Sequence, residues 1–317
     1  MTSGFPFTGR LWSVVLAGGE GIRLRPLVER IHADGRPKQY AVLVGSRSLL
    51  RQTLDRSKLI VPAERTVVVT TRAHKPFFSA ELGGPGPPAP SMIVQPRDRG
   101  TAAGVLLPVH WIARQDPQAL VAVFPSDHFI GDDQAFARHV ADLAAVAARH
   151  PECLHLLGAR PDGPETGYGW IEPGDEVDRA PSGGLRRVVR FWEKPSPETA
   201  RACLERGGLW NTFVMVARAA TLIEAGRRAL PELSERLSRI APLVGSDPEA
   251  PILESAYLRA PSANFSADVL AALPSMLTVS RMPPIAWSDW GTPDRVIATL
   301  QREGIRPSWL QELATTA

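Results

Sequence analysis

The sequence predicts an α/β fold in which a doubly wound, mostly parallel sheet carries a smaller second lobe. Up to about residue 160, short apolar runs alternate with longer amphipathic stretches, which is typical of a parallel sheet with helices on both faces. Beyond that point the strands are separated by longer excursions, which indicates a second lobe laid over the sheet. We therefore divide the chain into a loose tail (1–10), a first lobe (11–160), a second lobe (161–301) and a docked C-terminal element (302–317).

The first lobe contains five apolar runs of five or six residues, each short enough for a buried strand. Predicted strands cover 12–16, 66–71, 91–95, 119–124 and 153–158, and predicted helices cover 48–59, 74–81, 101–115 and 133–149. The proline and glycine run at 83–90 predicts an exposed linker between a helix and the third strand.

The second lobe has a less regular pattern. Its predicted strands cover 168–171, 187–193, 210–217, 276–280 and 284–287, and its predicted helices cover 197–206, 219–241 and 292–301. The polar, turn-rich stretch 172–185 predicts a hairpin-like surface loop.

Composition limits the classes of partner. The net charge is only +3 and the basic residues are dispersed, so we expect neither a nucleic-acid groove nor a membrane-binding patch. Cys153 and Cys203 are the only cysteines, too few for a disulfide framework, and predict a cytoplasmic protein in a reducing compartment.

Lysine is rare in this chain. The 36 basic residues include only four lysines, and two of them, Lys38 and Lys194, lie inside short motifs. An ammonium is a compact point charge whereas a guanidinium is a planar fork, so a chain biased toward arginine should keep lysine where a point charge matters. Codon bias accounts equally well for Lys58 and Lys75.

The stretch from Leu11 to Gln39 predicts a buried strand that feeds an anion-binding loop. Glycines at 18, 19 and 21 let backbone N–H groups approach an anion, and Arg23 and Lys38 supply positive charge. A tight turn without a ligand is the alternative for such a glycine cluster. Dinucleotide and Walker A motifs are excluded, because neither the third glycine nor a G-K-[ST] sequence is present.

The segments LAGGEGIRLRPL (16–27) and PKQ (37–39) resemble the opening of the sugar-1-phosphate nucleotidyltransferases. The resemblance extends over about residues 11 to 300. It implies a Rossmann-like nucleotidyltransferase fold, with a nucleotide-binding first lobe and a second lobe that binds the sugar phosphate. The nucleotide-binding residues that it implies are Leu16, Ala17, Gly18, Gly19, Gly21, Arg23, Lys38, Gln95, Gly100 and Thr101.

Two of these residues are assigned to the base. Gln95 ends a predicted strand, where doubly wound folds bind ligands, and its amide can pair with the edge of a base. Gly100 would let a base lie against the backbone, and the family has a matching glycine and a matching glutamine or glutamate. A strand end followed by a helix N-cap at Thr101 is the alternative interpretation, and it explains Thr101 better.

Two aspartates are candidate metal ligands. Asp127 follows a buried strand and faces the glycine loop, where a divalent ion bridging a triphosphate should be held, although it could instead cap the next helix. Asp289 lies in WSDWGT (287–292), which resembles the family segment whose aspartate shares the metal. Two carboxylates favour Mg²⁺. The predicted catalytic set is Arg23, Lys38, Asp127 and Asp289.

Three further segments resemble the family's acceptor motifs. They are YGWI (168–171), FWEKP (191–195) and WNT (210–212), and they assign Gly169, Glu193, Lys194 and Asn211 to the sugar phosphate. Thr212 and Phe213 stand where the family more often has serine and glycine. Each segment alone is ambiguous, but their order is difficult to explain by structure alone.

The motif set most resembles the mannose-1-phosphate guanylyltransferases, which implies GTP and mannose 1-phosphate as substrates. Another pair, handled by a thymidylyl-, uridylyl-, adenylyl- or cytidylyltransferase, stays open. So does a catalytically silent subunit that senses nucleotide sugars, although such a subunit usually loses an aspartate or the loop arginine. We expect no nucleic-acid or membrane partner and leave a homodimer open.

Overall fold

A computed structural model describes residues 10–82, 89–179, 184–245 and 249–315. Its strands are β1 (Leu11–Leu16), β2 (Thr66–Thr71), β3 (Ser91–Gln95), β4 (Leu120–Pro125), β5 (Phe129–Ile130), β6 (Leu154–Ala159), β7 (Gly169–Asp178), β8 (Leu185–Glu193), β9 (Leu209–Arg218), β10 (Leu277–Arg281) and β11 (Trp287–Ser288).

The helices are α1 (Arg25–His32), α2 (Leu49–Ser57), α3 (Lys75–Leu82), α4 (Gly100–Gln115), α5 (Asp133–Arg149), α6 (Pro197–Glu205), α7 (Ala219–Ala229), α8 (Pro231–Ile240), α9 (Glu249–Arg259), α10 (Pro293–Arg302) and α11 (Ser308–Thr315). A π-helix covers Phe265–Leu270, and 3-10 helices cover Ile22–Leu24, Lys38–Tyr40, Ala63–Arg65, Arg72–His74, Ala241–Leu243 and Pro274–Met276.

One sheet runs through both lobes in the order β3-β2-β1-β4-β9-β6-β10-β8-β7, and β5 pairs separately with β11. The first four strands in this order are parallel, as predicted. Beyond them the sheet is mixed, because β9 runs antiparallel to both β4 and β6, and β7 and β8 form an antiparallel hairpin. The parallel description therefore holds for β3, β2, β1 and β4, whereas β6 of the first lobe is antiparallel to β9 and parallel to β10. The second-lobe strands continue this sheet and are not laid over it as expected.

Helices cover both faces of the sheet, which confirms the α/β class. Along β1, Val14 belongs to the core that contains Leu106 of α4, and Val15 belongs to the core that contains Phe136 of α5. Successive strand residues point to opposite faces, so a strand buried on both sides needs an unbroken apolar run. This requirement explains why the five predicted strands of the first lobe match β1, β2, β3, β4 and β6 to within a residue at each end, whereas the two-residue strand β5 was missed.

The predicted helix 219–241 is two helices, α7 and α8, that meet at Leu230. Pro231 has no N–H to continue the helical ladder, and it occupies the first turn of α8, where none is needed. Two helices, α1 and α9, and the π-helix at Phe265–Leu270 lie where no helix was predicted.

Two predictions for irregular segments also need correction. Much of the predicted loop 172–185 is paired strand, because β7 extends to Asp178 before the hairpin turns back at Leu185. The predicted strand 284–287 is reduced to Trp287–Ser288, which pair with β5. The predictions for residues 1–9 and for most of the linker 83–90 fall outside the described residues.

The C-terminal element is a docked helix, as expected. The indole N–H of Trp309 in α11 donates to the carbonyl of Leu43 at 2.8 Å, and the ring is buried. No helix within the described ranges combines the length and the apolar character needed to cross a bilayer.

Candidate active site

A cleft of about 510 Å³ opens at the carboxyl ends of β1 and β4 and is lined by residues of both lobes. Ligands of open α/β sheets bind at this edge. Twelve predicted site residues line the cleft: Leu16, Gly19, Gly21, Arg23, Lys38, Thr101, Asp127, Gly169, Glu193, Lys194, Asn211 and Asp289.

The glycine loop is fixed by the segment that carries Lys38. The side-chain amide of Gln39 donates to the carbonyls of Ala17 and Gly19 at 2.8 and 2.9 Å. Gly21 has a φ of +60°, and a Cβ there would lie 2.8 Å from the Cβ of Lys38. The glycine is therefore required both by its backbone conformation and by the close approach of Lys38.

The variant Gly21→Ala tests the close contact between Gly21 and Lys38, and Gly35→Ala is its matched control. Gly35 has a φ of +69° with open space around it, so Gly35→Ala carries the conformational cost without the contact. We expect Gly35→Ala to lose about 1 kcal/mol of stability in chemical denaturation, and Gly21→Ala to lose more because its Cβ also meets Lys38. Only Gly21→Ala should also lower turnover, by about tenfold or more, because Lys38 is displaced. Equal turnover in the two variants would contradict the role of this contact.

Lys38 joins the two acidic loops. Its side chain is only 4% exposed, and its ammonium donates to Oδ2 of Asp127 at 3.0 Å and to the main-chain carbonyl of Asp289. A buried ammonium needs such partners, because an unpaired charge away from water is costly. Residues 38, 127 and 289, far apart in the sequence, therefore converge on one group.

Asp127 stays ionised beside this lysine. Burial opposes ionisation, but the ammonium of Lys38 and the neighbouring His128 together hold the pKa of Asp127 below its usual value. The preceding Ser126 donates from Oγ to the carbonyl of Leu16 at 2.6 Å, which ties the end of β4 to the end of β1. The carboxylate is thereby placed beside the glycine loop.

Asp289 is held by groups that sequence reasoning missed. Its Oδ1 accepts hydrogen bonds from the Tyr168 hydroxyl at 3.0 Å and from the Gly291 N–H at 2.9 Å. Arg295 donates from Nη1 to Oδ1 and Oδ2 at 3.1 and 3.2 Å, and it also pairs with Glu165. These contacts connect the end of β11 to the loop that leads into β7.

The second-lobe residues form the opposite wall of the cleft. A Cβ on Gly169 would lie 3.0 Å from Oε2 of Glu193 and 3.2 Å from Cβ of Asn211, so glycine is what allows these side chains to converge. Burial raises the pKa of Glu193, an effect that Lys194 opposes. Phe213 lines the cleft with a φ of +60°, a conformation that favours glycine.

Four predicted nucleotide-binding residues do not line the cleft: Ala17, Gly18, Gln95 and Gly100. Gln95 is buried, and its Oε1 accepts a hydrogen bond from the Tyr257 hydroxyl at 3.2 Å. Gly100 lies against another backbone segment, since a Cβ there would be 2.2 Å from the carbonyl oxygen of Ala263. Packing against Ala263 explains this glycine without a base, and the assignment of both residues to the base stays a prediction.

The donor set fits Mg²⁺ better than a softer metal. Within the described ranges, no group of three or more histidine, cysteine, aspartate or glutamate side chains is arranged to hold a metal. Asp127 and Asp289 both line the cleft, each with oxygen ligands only. Magnesium commonly takes one or two carboxylates and completes its shell with substrate phosphates and water, so two aspartates are sufficient.

Comparison with known proteins agrees with this geometry. A family model described as nucleotidyl transferase matches residues 12–302. The chain is 33% identical to the xanthan biosynthesis protein XanB of Xanthomonas campestris pv. campestris over 223 residues, which are 70% of this chain and 45% of that protein. It is 30% identical to the mannose-1-phosphate guanylyltransferase ManC of Salmonella typhimurium, covering 89% of this chain and 58% of that protein.

A solved structure extends the likeness to three dimensions. It is described as a mannose-1-phosphate geranyltransferase from Thermus thermophilus, and it is 30% identical with a TM-score of 0.77. The match covers 94% of this chain and 80% of that chain. By contrast, the chain spans about half the length of the two curated relatives.

Proposed function

The chain belongs to the nucleotidyl transferase family, and we propose that it transfers a nucleoside monophosphate from a nucleoside triphosphate to a sugar 1-phosphate. The products would be a nucleotide sugar and pyrophosphate. We further propose GTP and mannose 1-phosphate as the substrates. This choice is supported by the acceptor segments of the sequence and by the likeness to ManC, whose name specifies mannose 1-phosphate guanylyltransferase.

The observation that carries the proposal is the convergence on Lys38. One buried ammonium bonds the loops of Asp127 and Asp289 beside the glycine loop, within a cleft whose far wall holds Glu193 and Asn211. A protein that only binds a nucleotide would need the ammonium and the loops around it, but not the far wall that holds Glu193 and Asn211. Both sides of the cleft together would accommodate a triphosphate and a second substrate, which supports the proposed transfer.

The reaction would proceed by direct, in-line displacement. A phosphate oxygen of the sugar 1-phosphate forms a bond to the α-phosphorus as the bond from that phosphorus to the β-phosphate bridge oxygen breaks, and pyrophosphate leaves with the electron pair. The attacking phosphate is already an anion near neutral pH, so no general base is required. The protein has to align the two anions and screen their repulsion.

The chain's own residues suit these tasks. Lys38 and Arg23 line the cleft beside the glycine loop, where they would offset the charge of the triphosphate. Lys194 is half exposed at the opposite wall, with its Nζ 3.8 Å from Oε1 of Glu193. Its ammonium would hold the phosphate of the sugar. Glu193 and Asn211 would accept hydrogen bonds from sugar hydroxyls.

Magnesium would be held by Asp127 and Asp289, and when bound it would neutralise phosphate charge and polarise the phosphoryl group. Lys38 already fixes both loops, through the Asp127 carboxylate and the Asp289 carbonyl. The carboxylate of Asp289 is further oriented by Tyr168 and Arg295. The protein therefore fixes both ligands before any ion arrives, which lowers the cost of ordering them.

A turnover screen tests the proposal. The purified chain is incubated with each of the common nucleoside triphosphates and with several sugar 1-phosphates in the presence of Mg²⁺, and pyrophosphate release is measured. We expect the highest kcat/KM with GTP and mannose 1-phosphate. Turnover with another pair alone would refute the assigned substrates and leave the reaction standing, whereas binding of nucleotide sugar without turnover of any pair would favour the silent, sensing subunit.

A further inference from the structure

A second cavity of about 610 Å³ lies at the carboxyl ends of β6 and β10, next to the cleft but not part of it. No lining residue is shared between the two cavities. The size is within the range of small-ligand pockets. Its lining is partly aromatic and apolar, including Trp210, Trp287 and the stretch 282–286, and partly charged.

The charged part of the lining is basic. Arg160, Arg281 and Arg302 line the cavity against a single acidic residue, Asp162. Arg302 is paired with Asp162 at 2.7 Å. Arg160 and Arg281 are exposed and have no carboxylate partner among the described residues, so the lining carries an excess of two positive charges. A phosphate monoester carries nearly the same charge with opposite sign at neutral pH.

A layer of aromatic rings separates the two cavities. Tyr168 lines the cleft, and its ring centroid lies 4.6 Å from that of Trp210 and 5.3 Å from that of Trp287, both of which line the second cavity. The indole N–H groups of these tryptophans are buried and have no hydrogen-bond partner among the described residues. An acceptor that reached either one would supply a bond that the protein alone does not make.

We propose that this cavity is a second ligand site, which binds an organic phosphate whose ring packs on Pro283, Pro284 and Ile285, beside the buried rings of Trp210 and Trp287, while its phosphate pairs with Arg160 and Arg281. Apolar side chains in a pocket accept flat rings such as a base or the apolar face of a sugar. Arginine binds phosphate through paired, charge-assisted hydrogen bonds. The two kinds of lining together select a phosphate that carries a ring over inorganic phosphate.

Occupation of the second cavity should alter the cleft. Trp210 directly precedes Asn211, and Trp287 lies two residues before Asp289, while Tyr168 contacts both rings and bonds the Asp289 carboxylate. A ligand that repositions either ring would therefore shift a residue assigned to sugar or metal. This second step rests on the proposed function, whereas the binding step does not.

The binding step is tested by titrating the whole chain with AMP, with glucose 6-phosphate and with inorganic phosphate, followed by calorimetry and tryptophan fluorescence. The test variant is Arg160→Gln/Arg281→Gln. The matched control is Arg138→Gln/Arg201→Gln, which removes two exposed arginines that line neither cavity. A third variant, Lys38→Ala, alters the cleft and leaves the second cavity intact.

We expect AMP or glucose 6-phosphate to bind the wild type, the control and Lys38→Ala alike, and to bind the test variant about tenfold or more weakly. Equal affinity for the wild type and the test variant, or no binding of either organic phosphate, would overturn the site. The site would also be overturned if inorganic phosphate bound as tightly as AMP and glucose 6-phosphate. The preferred probe tells whether the ring is a base or a sugar.

The coupling step is tested by adding AMP or glucose 6-phosphate, whichever binds the second cavity, to the turnover assay. We expect a change in the KM for the sugar 1-phosphate in the wild type and in the control, and none in the test variant. Binding to the cavity with unchanged kinetics would overturn the coupling. If the chain showed no turnover at all, the proposed function would fail while the binding measurements would still decide the second site.

Discussion

Asp127→Asn and Asp289→Asn are each expected to lower turnover by about two to three orders of magnitude while the chain stays folded. Asparagine keeps the volume of aspartate and one acceptor oxygen, so Tyr168 and Gly291 retain a partner at position 289. What the substitution removes is the negative charge that would hold the divalent ion against the triphosphate. The loss should therefore appear mainly in catalysis and in metal affinity. Asp127→Asn should also lose some stability, because the buried ammonium of Lys38 loses its counter-charge.

The measurement is steady-state turnover over a range of Mg²⁺ concentrations, together with Mn²⁺ binding followed by electron paramagnetic resonance. Asp55→Asn serves as the control, because Asp55 is a partly exposed aspartate outside the cleft that pairs with Arg47 at the surface. Exposed pairs of this kind contribute little to stability. Turnover at the wild-type level in either variant would remove that aspartate from the site.

Lys38→Ala is expected to lower turnover by about two orders of magnitude, and Lys38→Arg should not restore it. The side chain is 4% exposed, and its ammonium fits between the Asp127 carboxylate and the Asp289 carbonyl. A guanidinium is larger and planar and brings five N–H donors, so it cannot occupy this position without moving one of the two loops.

Turnover and thermal unfolding of both variants test this expectation. Lys58→Arg is the matched control, since Lys58 is an exposed lysine outside any motif, and the same replacement there should change neither quantity. Full activity in Lys38→Arg would refute the argument that a compact ammonium is needed. A loss confined to stability, with normal turnover per folded molecule, would make Lys38 structural only.

The parts of the fold that could be predicted from the sequence are those fixed by local pattern. The strands β1 and β2 are short, largely buried runs rich in apolar and β-branched residues, which favour a strand locally. Pro231 lies inside the predicted helix 219–241, and its missing N–H is a local reason for the break that the structure shows there. The pairing of β9 between β4 and β6 depends on contacts across the whole chain, which no window of sequence contains.

The residues of the candidate site also fall into those that local sequence could identify and those that required the structure. Lys38, Asp127 and Asp289 were found because motifs carry them, and the structure brings all three together. Arg295 was missed, because it lies in the first turn of α10 outside any motif and acts through tertiary contacts with Asp289, Glu165 and the Tyr168 ring. Tyr168 was quoted within a motif, but its hydroxyl could not be assigned to Asp289 without the structure.

Direct transfer is the central claim, and the fate of the α-phosphorus tests it most directly. GTP that is radiolabelled and stereochemically defined at the α-phosphorus is incubated with mannose 1-phosphate, Mg²⁺ and the chain. We expect the label to appear in GDP-mannose alone, with inverted configuration, and none of it to be trapped on the protein. Net retention at that phosphorus, or label covalently attached to the chain, would contradict direct transfer.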